Sequence, residues 1–203
     1  MDDTADTRGW ADTTARIVSE ALAPAVIVTA VIASVAWDST ATAWQAVVWS
    51  VVFVLFAAVI PMGFVVAGVR AGRWADHHVP DRAHRRWPMV VAAASVGVGT
   101  ALVLTLGGPT DLVALGATMG AVLVLVWVIT DRWSWKVSGH TLTAAVGATT
   151  ATALGGWAGA AVAWPLALLV GWSRVRLRSH TAAQAGVGAL LGAAAMVVFF
   201  LLR

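Results

Sequence analysis

The chain has 203 residues, 60% of them apolar and only 11% charged, against about 45–50% and 25% in soluble domains. Its mean hydropathy is +0.83 and its net charge is +3. There is too little polar surface here for a soluble domain, so these values exclude a nucleic-acid-binding domain and a disordered chain, and mark an integral membrane protein. Cysteine is absent, which removes disulfides, thiolate metal sites and a cysteine nucleophile.

A spanning helix needs about 20 mostly apolar residues. Residues 1–20 are polar, with Asp2, Asp3, Asp6, Asp12 and Glu20 beside Arg8 and Arg16. They form no basic leader ahead of an apolar run, so no cleaved signal peptide is expected. The first span is expected over 22–37. The connector Asp38-Ser39-Thr40 leads to a second, long span over 43–69. Residues 70–88 carry five arginines and three histidines and form the longest polar interruption. Spans over 88–106 and 111–130 flank the breaker run Gly107-Gly108-Pro109-Thr110. After a polar stretch over 131–140, an apolar run extends from 141 to 172. As one helix that run would be roughly 48 Å long, too long for a ~30 Å hydrocarbon core. Gly155-Gly156 near its middle predicts a tight turn between two shorter helices. Residues 173–180 are polar, and a last span runs over 181–202.

The expected fold is therefore all-α, a polytopic transmembrane helix bundle of about six to seven spans. Residues 1–20 are expected as a polar N-terminal segment and 21–203 as one membrane-embedded domain. The many glycines and alanines suit close helix packing in lipid. With seven crossings, the N-terminus and the loops 70–88, 131–140 and 173–180 share one face. Of 13 Lys and Arg, 12 lie on that face and only Arg203 lies opposite. The positive-inside rule makes the cation-rich face cytoplasmic, in a protein of the cell membrane.

Two of these loops end in similar ways. Ser138-Gly139-His140 precedes the span from 141, and Ser179-His180 precedes the last span. Serine favours the N-cap, and helix N-termini attract anions. Lys136, Arg174, Arg176 and Arg178 stand close in sequence, and Arg82, Arg85 and Arg86 lie on the same face. Cations and two histidines without a carboxylate cluster point to metal-free handling of a phosphate ester. A divalent-metal site would want grouped Asp or Glu. Single arginines at membrane edges also snorkel or set orientation, so the joint pattern carries the argument.

That pattern resembles the type 2 phosphatidic acid phosphatase family, over roughly residues 70–192. Ser173-Arg174, five residues, then His180 matches its third motif, Ser-Arg-x5-His. Lys136-Val137-Ser138-Gly139-His140 is similar to its second motif, Pro-Ser-Gly-His, with valine in place of proline. Residues 78–88 stand where the first motif, Lys-x6-Arg-Pro, is expected. His78 takes the lysine position relative to Arg85, and Pro88 follows Arg85 by three residues. The stretch from Asp76 to Arg82 resembles a variant first motif of small bacterial members.

The resemblance implies that His180 attacks phosphorus to form a phosphohistidine, and that His140 protonates the leaving alcohol and then activates water. It implies that Arg174 holds phosphoryl oxygens, with Ser138 and the Gly139 amide as neutral donors. Arg85, Lys136 and Arg82 are the further expected phosphate-binding residues. Family members often carry an acid four residues after the nucleophile; here Gln184 stands there, able to accept the imidazole N–H but not to stabilise an imidazolium as an anion does. No cofactor and no metal are expected. The expected partner is a membrane lipid phosphate, polyprenyl or glycerolipid, taken from the bilayer itself, and no nucleic acid. Two other classes remain open from the sequence: a non-hydrolytic enzyme on the same scaffold acting on prenyl (di)phosphates, and a non-enzymatic lipid-binding membrane protein.

Overall fold

In lipid, every backbone N–H and C=O must be satisfied within the protein, so apolar spans fold as helices. The computed structural model describes residues 3–72 and 86–203 and is helical almost throughout, with no strand among the described residues. Seven helices follow one another there: α1 Asp3–Ala21, α2 Pro24–Ser39, α3 Ala43–Arg70, α4 Arg86–Thr105, α5 Thr110–Arg132, α6 Gly139–Arg176 and α7 Ala182–Leu202. The last five are long and apolar enough to cross a membrane, and α1 with α2 qualifies as one further, broken span. The boundaries lie within a few residues of those the hydropathy pattern predicts.

α6 is where length alone misleads. At Gly156 the backbone adopts φ +58°, ψ −146°, a conformation closed to residues with a side chain. Beyond it the chain doubles back. Trp164 Nε1 donates to Thr152 Oγ1 at 3.1 Å. A methyl on Gly171 would meet Thr141 Cγ2 at 3.8 Å, and one on Gly159 would strike the Ala151 carbonyl. In a straight helix residues 141 and 171 would stand ~45 Å apart. The 38 residues are thus two antiparallel arms, 139–155 and 157–176, and the turn expected at Gly155-Gly156 is there.

Two compact units divide the described chain. The first comprises Met1–Ile27 and Ser134–Leu201; the second comprises Val28–Trp133 with Leu202–Arg203. Within the first unit α1 packs along α6, with Ala15 and Ser19 buried.

The second unit packs α4 against α3 and α5. Its glycines sit at close approaches: Gly99 faces Phe56, and Gly116 faces Thr100 and Phe53. α3 widens into a π-helical turn over Leu55–Val59, where the Ile60 amide reaches back to the Leu55 carbonyl. In that register the Phe56 carbonyl should receive residue 61, which is proline and has no N–H. Ser95 Oγ donates to it at 2.6 Å. Arg203 Nη1 pairs with Asp38 Oδ2 at 2.8 Å and Asp111 Oδ2 at 3.2 Å. The C-terminus, the end of α2 and the start of α5 therefore meet.

Candidate functional site

The residues singled out in α6, α7 and their flanking loops all fall in the first unit. α6 opens on Ser138, fully buried, whose Oγ accepts the Thr141 amide at 3.5 Å as N-cap. Gly139 and His140 follow as the first helical residues, where no carbonyl lies four residues behind an amide. Gly139 is exposed and His140 half-buried.

The other end of α6 carries the second histidine. The helix closes in a Schellman turn: the Arg178 amide donates to Val175 O at 3.0 Å and the Ser179 amide to Arg174 O at 3.1 Å. The His180 amide joins the same Arg174 carbonyl at 3.2 Å. The five residues between Arg174 and His180 are the length of this turn, which folds the histidine back onto the arginine's own turn of helix. Such a turn needs a left-handed residue, usually glycine. Here it is Arg178, at φ +54°.

The two histidine-bearing segments are joined directly. Lys136 Nζ donates to Ser179 O at 2.8 Å, and the Ser138 amide donates to Gln184 O at 3.4 Å. Behind them, Gly188 and Gly192, spaced Gly-x3-Gly, let α7 approach the α6 backbone. A methyl on Gly188 would lie 2.5 Å from Ser138 O, and one on Gly192 would strike the Leu142 carbonyl. The abundance of small residues was legible in sequence; which two glycines face the site was not.

Two side chains take unforeseen places. Ser179, expected to cap the last helix, belongs to the turn, and the cap is Thr181. Thr181 Oγ1 accepts the Gln184 amide at 3.2 Å, and Gln184 Oε1 accepts the Thr181 amide at 3.1 Å, a reciprocal capping box. His180 therefore stands just before the helix rather than in its first turn. The Gln184 oxygen that spacing offers to the His180 ring is engaged in this cap.

Arg174 is 6% exposed and faces α1, where Nη1 donates to Ser19 Oγ at 2.6 Å. Its Nε is buried with no hydrogen-bond partner among the described residues. Arg176 Nε pairs with Asp12 Oδ1 at 2.7 Å. Sequence reading missed Ser19 and Asp12, because residues more than 150 positions away leave no local signal. Arg82, Arg85 and the rest of the first-motif stretch through 85 lie outside the described residues.

The structure thus joins the Lys136–His140 segment to the Ser179–Gln184 segment, with Arg174 bound to His180 through its carbonyl and its guanidinium turned to α1. Among the described residues, no three His, Cys, Asp or Glu groups gather that could hold a metal ion. Cations, imidazoles and backbone amides at a helix start can bind a tetrahedral anion, donate and accept protons, and supply a neutral nitrogen nucleophile. Comparison with family models, with curated proteins and with solved structures finds no match to this chain.

Proposed function

We propose that this integral membrane protein is a lipid-phosphate phosphatase, cleaving the phosphomonoester or diphosphate of a polyprenyl or glycerolipid through a phosphohistidine. The observation that carries the reading is the hydrogen-bonded pairing of the Lys136–His140 and Ser179–Gln184 segments, with Arg174 tied to His180 through its carbonyl. Two segments 40 residues apart in sequence need not meet, and these do.

In this reading a neutral ring nitrogen of His180 attacks phosphorus while the bond to the bridging oxygen breaks. His140, protonated, gives its proton to the departing alkoxide. The now neutral His140 takes a proton from water, whose oxygen attacks the phosphohistidine. Inorganic phosphate leaves and His180 returns neutral. Charge gathers on the equatorial phosphoryl oxygens during both steps, where fixed cations and amides lower the barrier most. Arg174, Lys136, the Gly139 amide and, from the first-motif stretch, Arg85 and Arg82 fill that role, while Ser138 caps and fixes the helix start. Gln184 acts through the Thr181 cap, holding the backbone next to His180.

The chemistry needs no divalent ion. Detergent-solubilised protein is expected to release phosphate from polyprenyl or glycerolipid phosphates at an undiminished rate in EDTA, and to be inhibited by orthovanadate, which resembles the trigonal phosphoryl group. Loss of activity in EDTA restored by Mg²⁺ would overturn the mechanism, and absence of phosphate release across both lipid classes would overturn the function.

We further propose that the catalytic face is cytoplasmic, on the warrant that 12 of 13 cations lie on it. The chain has no cysteine, so single thiols can be introduced at will. Ala83→Cys should be protected from an impermeant reagent in intact cells and Thr110→Cys should label; labelling of Ala83→Cys from outside reverses the orientation and leaves the chemistry intact.

A further inference from the structure

We propose that Ser19 is a positioning residue for phosphate binding: from α1 it fixes the Arg174 guanidinium, which makes the N-terminal helix part of the binding machinery. This rests on the phosphate-ester reading of the site and goes beyond it, since nothing in the motif-like residues points to α1.

The geometry is specific. Ser19 is 2% exposed, and its hydroxyl oxygen accepts from Arg174 Nη1 at 2.6 Å. A guanidinium is planar, so holding one terminal nitrogen also sets the direction of its Nε edge. That edge is buried and has no hydrogen-bond partner among the described residues. A buried N–H of a cation without a protein acceptor is uncommon and calls for another partner, and a phosphoryl oxygen has the charge and lone pairs to be one.

The acceptor is neutral. A carboxylate at position 19 would hold the guanidinium equally well but would cancel its charge. A hydroxyl fixes the direction and leaves the charge for an anion. The neighbouring Glu20 acts on Arg174 electrostatically but is exposed, where water screens it, and Asp12 of α1 pairs with Arg176. That second tie holds α1 along the last turn of α6, so Ser19 keeps its register against Arg174.

The test uses inorganic phosphate as probe on the full-length protein in detergent. Affinity is read from the phosphate-dependent rise in unfolding temperature and from competition against lipid-phosphate turnover. Ser19→Ala and the near-isosteric Ser19→Cys are expected to weaken phosphate binding about tenfold, as for a lost hydrogen bond to a charged group. KM should rise by a similar factor, and unfolding temperature without phosphate should hold within a few degrees. Ser19→Thr, which keeps the hydroxyl, should restore most of the affinity. Should Ser19→Ala fail to fold, the Cys variant decides. Phosphate affinity unchanged in Ser19→Cys, or lost as fully in Ser19→Thr as in Ser19→Cys, overturns the inference. Hydrolysis by the wild type with unaltered binding in Ser19→Cys sinks this inference alone. Ser19-dependent phosphate binding without hydrolysis of any lipid phosphate sinks the phosphatase reading alone. A wild type that binds no phosphate sinks both.

Discussion

The turns that close α4 and α6 are built alike and end differently. After α4, the Gly107 amide donates to Leu104 O at 3.2 Å and the Gly108 amide to Val103 O at 2.8 Å. Gly107 takes the left-handed conformation at φ +70°. After α6 the same pattern forms with Arg178 in that position. An L-residue with a side chain pays ~1–2 kcal/mol there, and glycine does not. The buried polar groups follow the same division. Ser19, Ser138, Thr141, Thr150, Ser173 and Arg174 all belong to the first unit; Ser95 is the buried polar residue of the second among the described residues. One unit is packed by apolar side chains and glycines. The other carries buried hydroxyls and a buried cation, and keeps an arginine where a glycine would be easier. The costly local choices concentrate in the unit that holds the proposed site, as local rules are broken most often at functional sites.

The largest effect expected from this contrast is catalytic. In the proposed mechanism His180 is the nucleophile, so His180→Ala should lower turnover by at least ~10³-fold, with the unfolding temperature held. Ser95→Ala, in the other unit, should leave turnover unchanged while costing roughly 1–3 kcal/mol for the orphaned Phe56 carbonyl. Phosphate-release assays beside thermal unfolding in detergent measure both. If Ser95→Ala reduces turnover as His180→Ala does, the division of labour is wrong.

Next in size is a packing effect. Gly192→Leu should destabilise by more than about 3 kcal/mol, because its Cβ alone would collide with a backbone carbonyl of α6. Gly120→Ala, with open space around the glycine, should be neutral or stabilising by up to ~1 kcal/mol. Equal unfolding temperatures for these two variants would show that α7 does not need its close approach.

The smallest and most pointed comparison returns to the turns. Gly107→Ala should cost ~1–2 kcal/mol with turnover intact. Arg178→Gly should shift stability by less than about 1 kcal/mol, strain relief being offset by added freedom of the unfolded chain, but should lower turnover several-fold. Full activity in Arg178→Gly would mean that the arginine is there for no chemical reason.

The spans were legible because lipid imposes a length, and the Gly155-Gly156 turn because the run around it exceeds that length. The junction of Lys136–His140 with the Ser179–Gln184 stretch was legible as paired patterns, each a cation or serine ahead of a histidine at a helix start. α1 was not. Its residues read only as a polar segment, and only folding shows that Ser19 and Asp12 answer arginines at the far end of α6. The cap made by Gln184 was not legible because Thr181-x-x-Gln184 fits two spacings at once, i+4 from a histidine and the capping box, and the box satisfies two amides. The π-turn in α3 could have been suspected from Pro61, but its partner Ser95 lies 39 residues on.

One carbonyl oxygen, that of Arg174, receives the amides of both Ser179 and His180. Such a closure has no slack. Residues 175–178 can change in kind, provided that position 178 tolerates a left-handed backbone, but they cannot change in number: one inserted residue would carry His180 past the oxygen that holds it, and one deleted residue would leave the loop too short to reach. Over evolutionary time this stretch should therefore accept substitutions and reject insertions and deletions, so that related chains would differ in its letters and agree in its length.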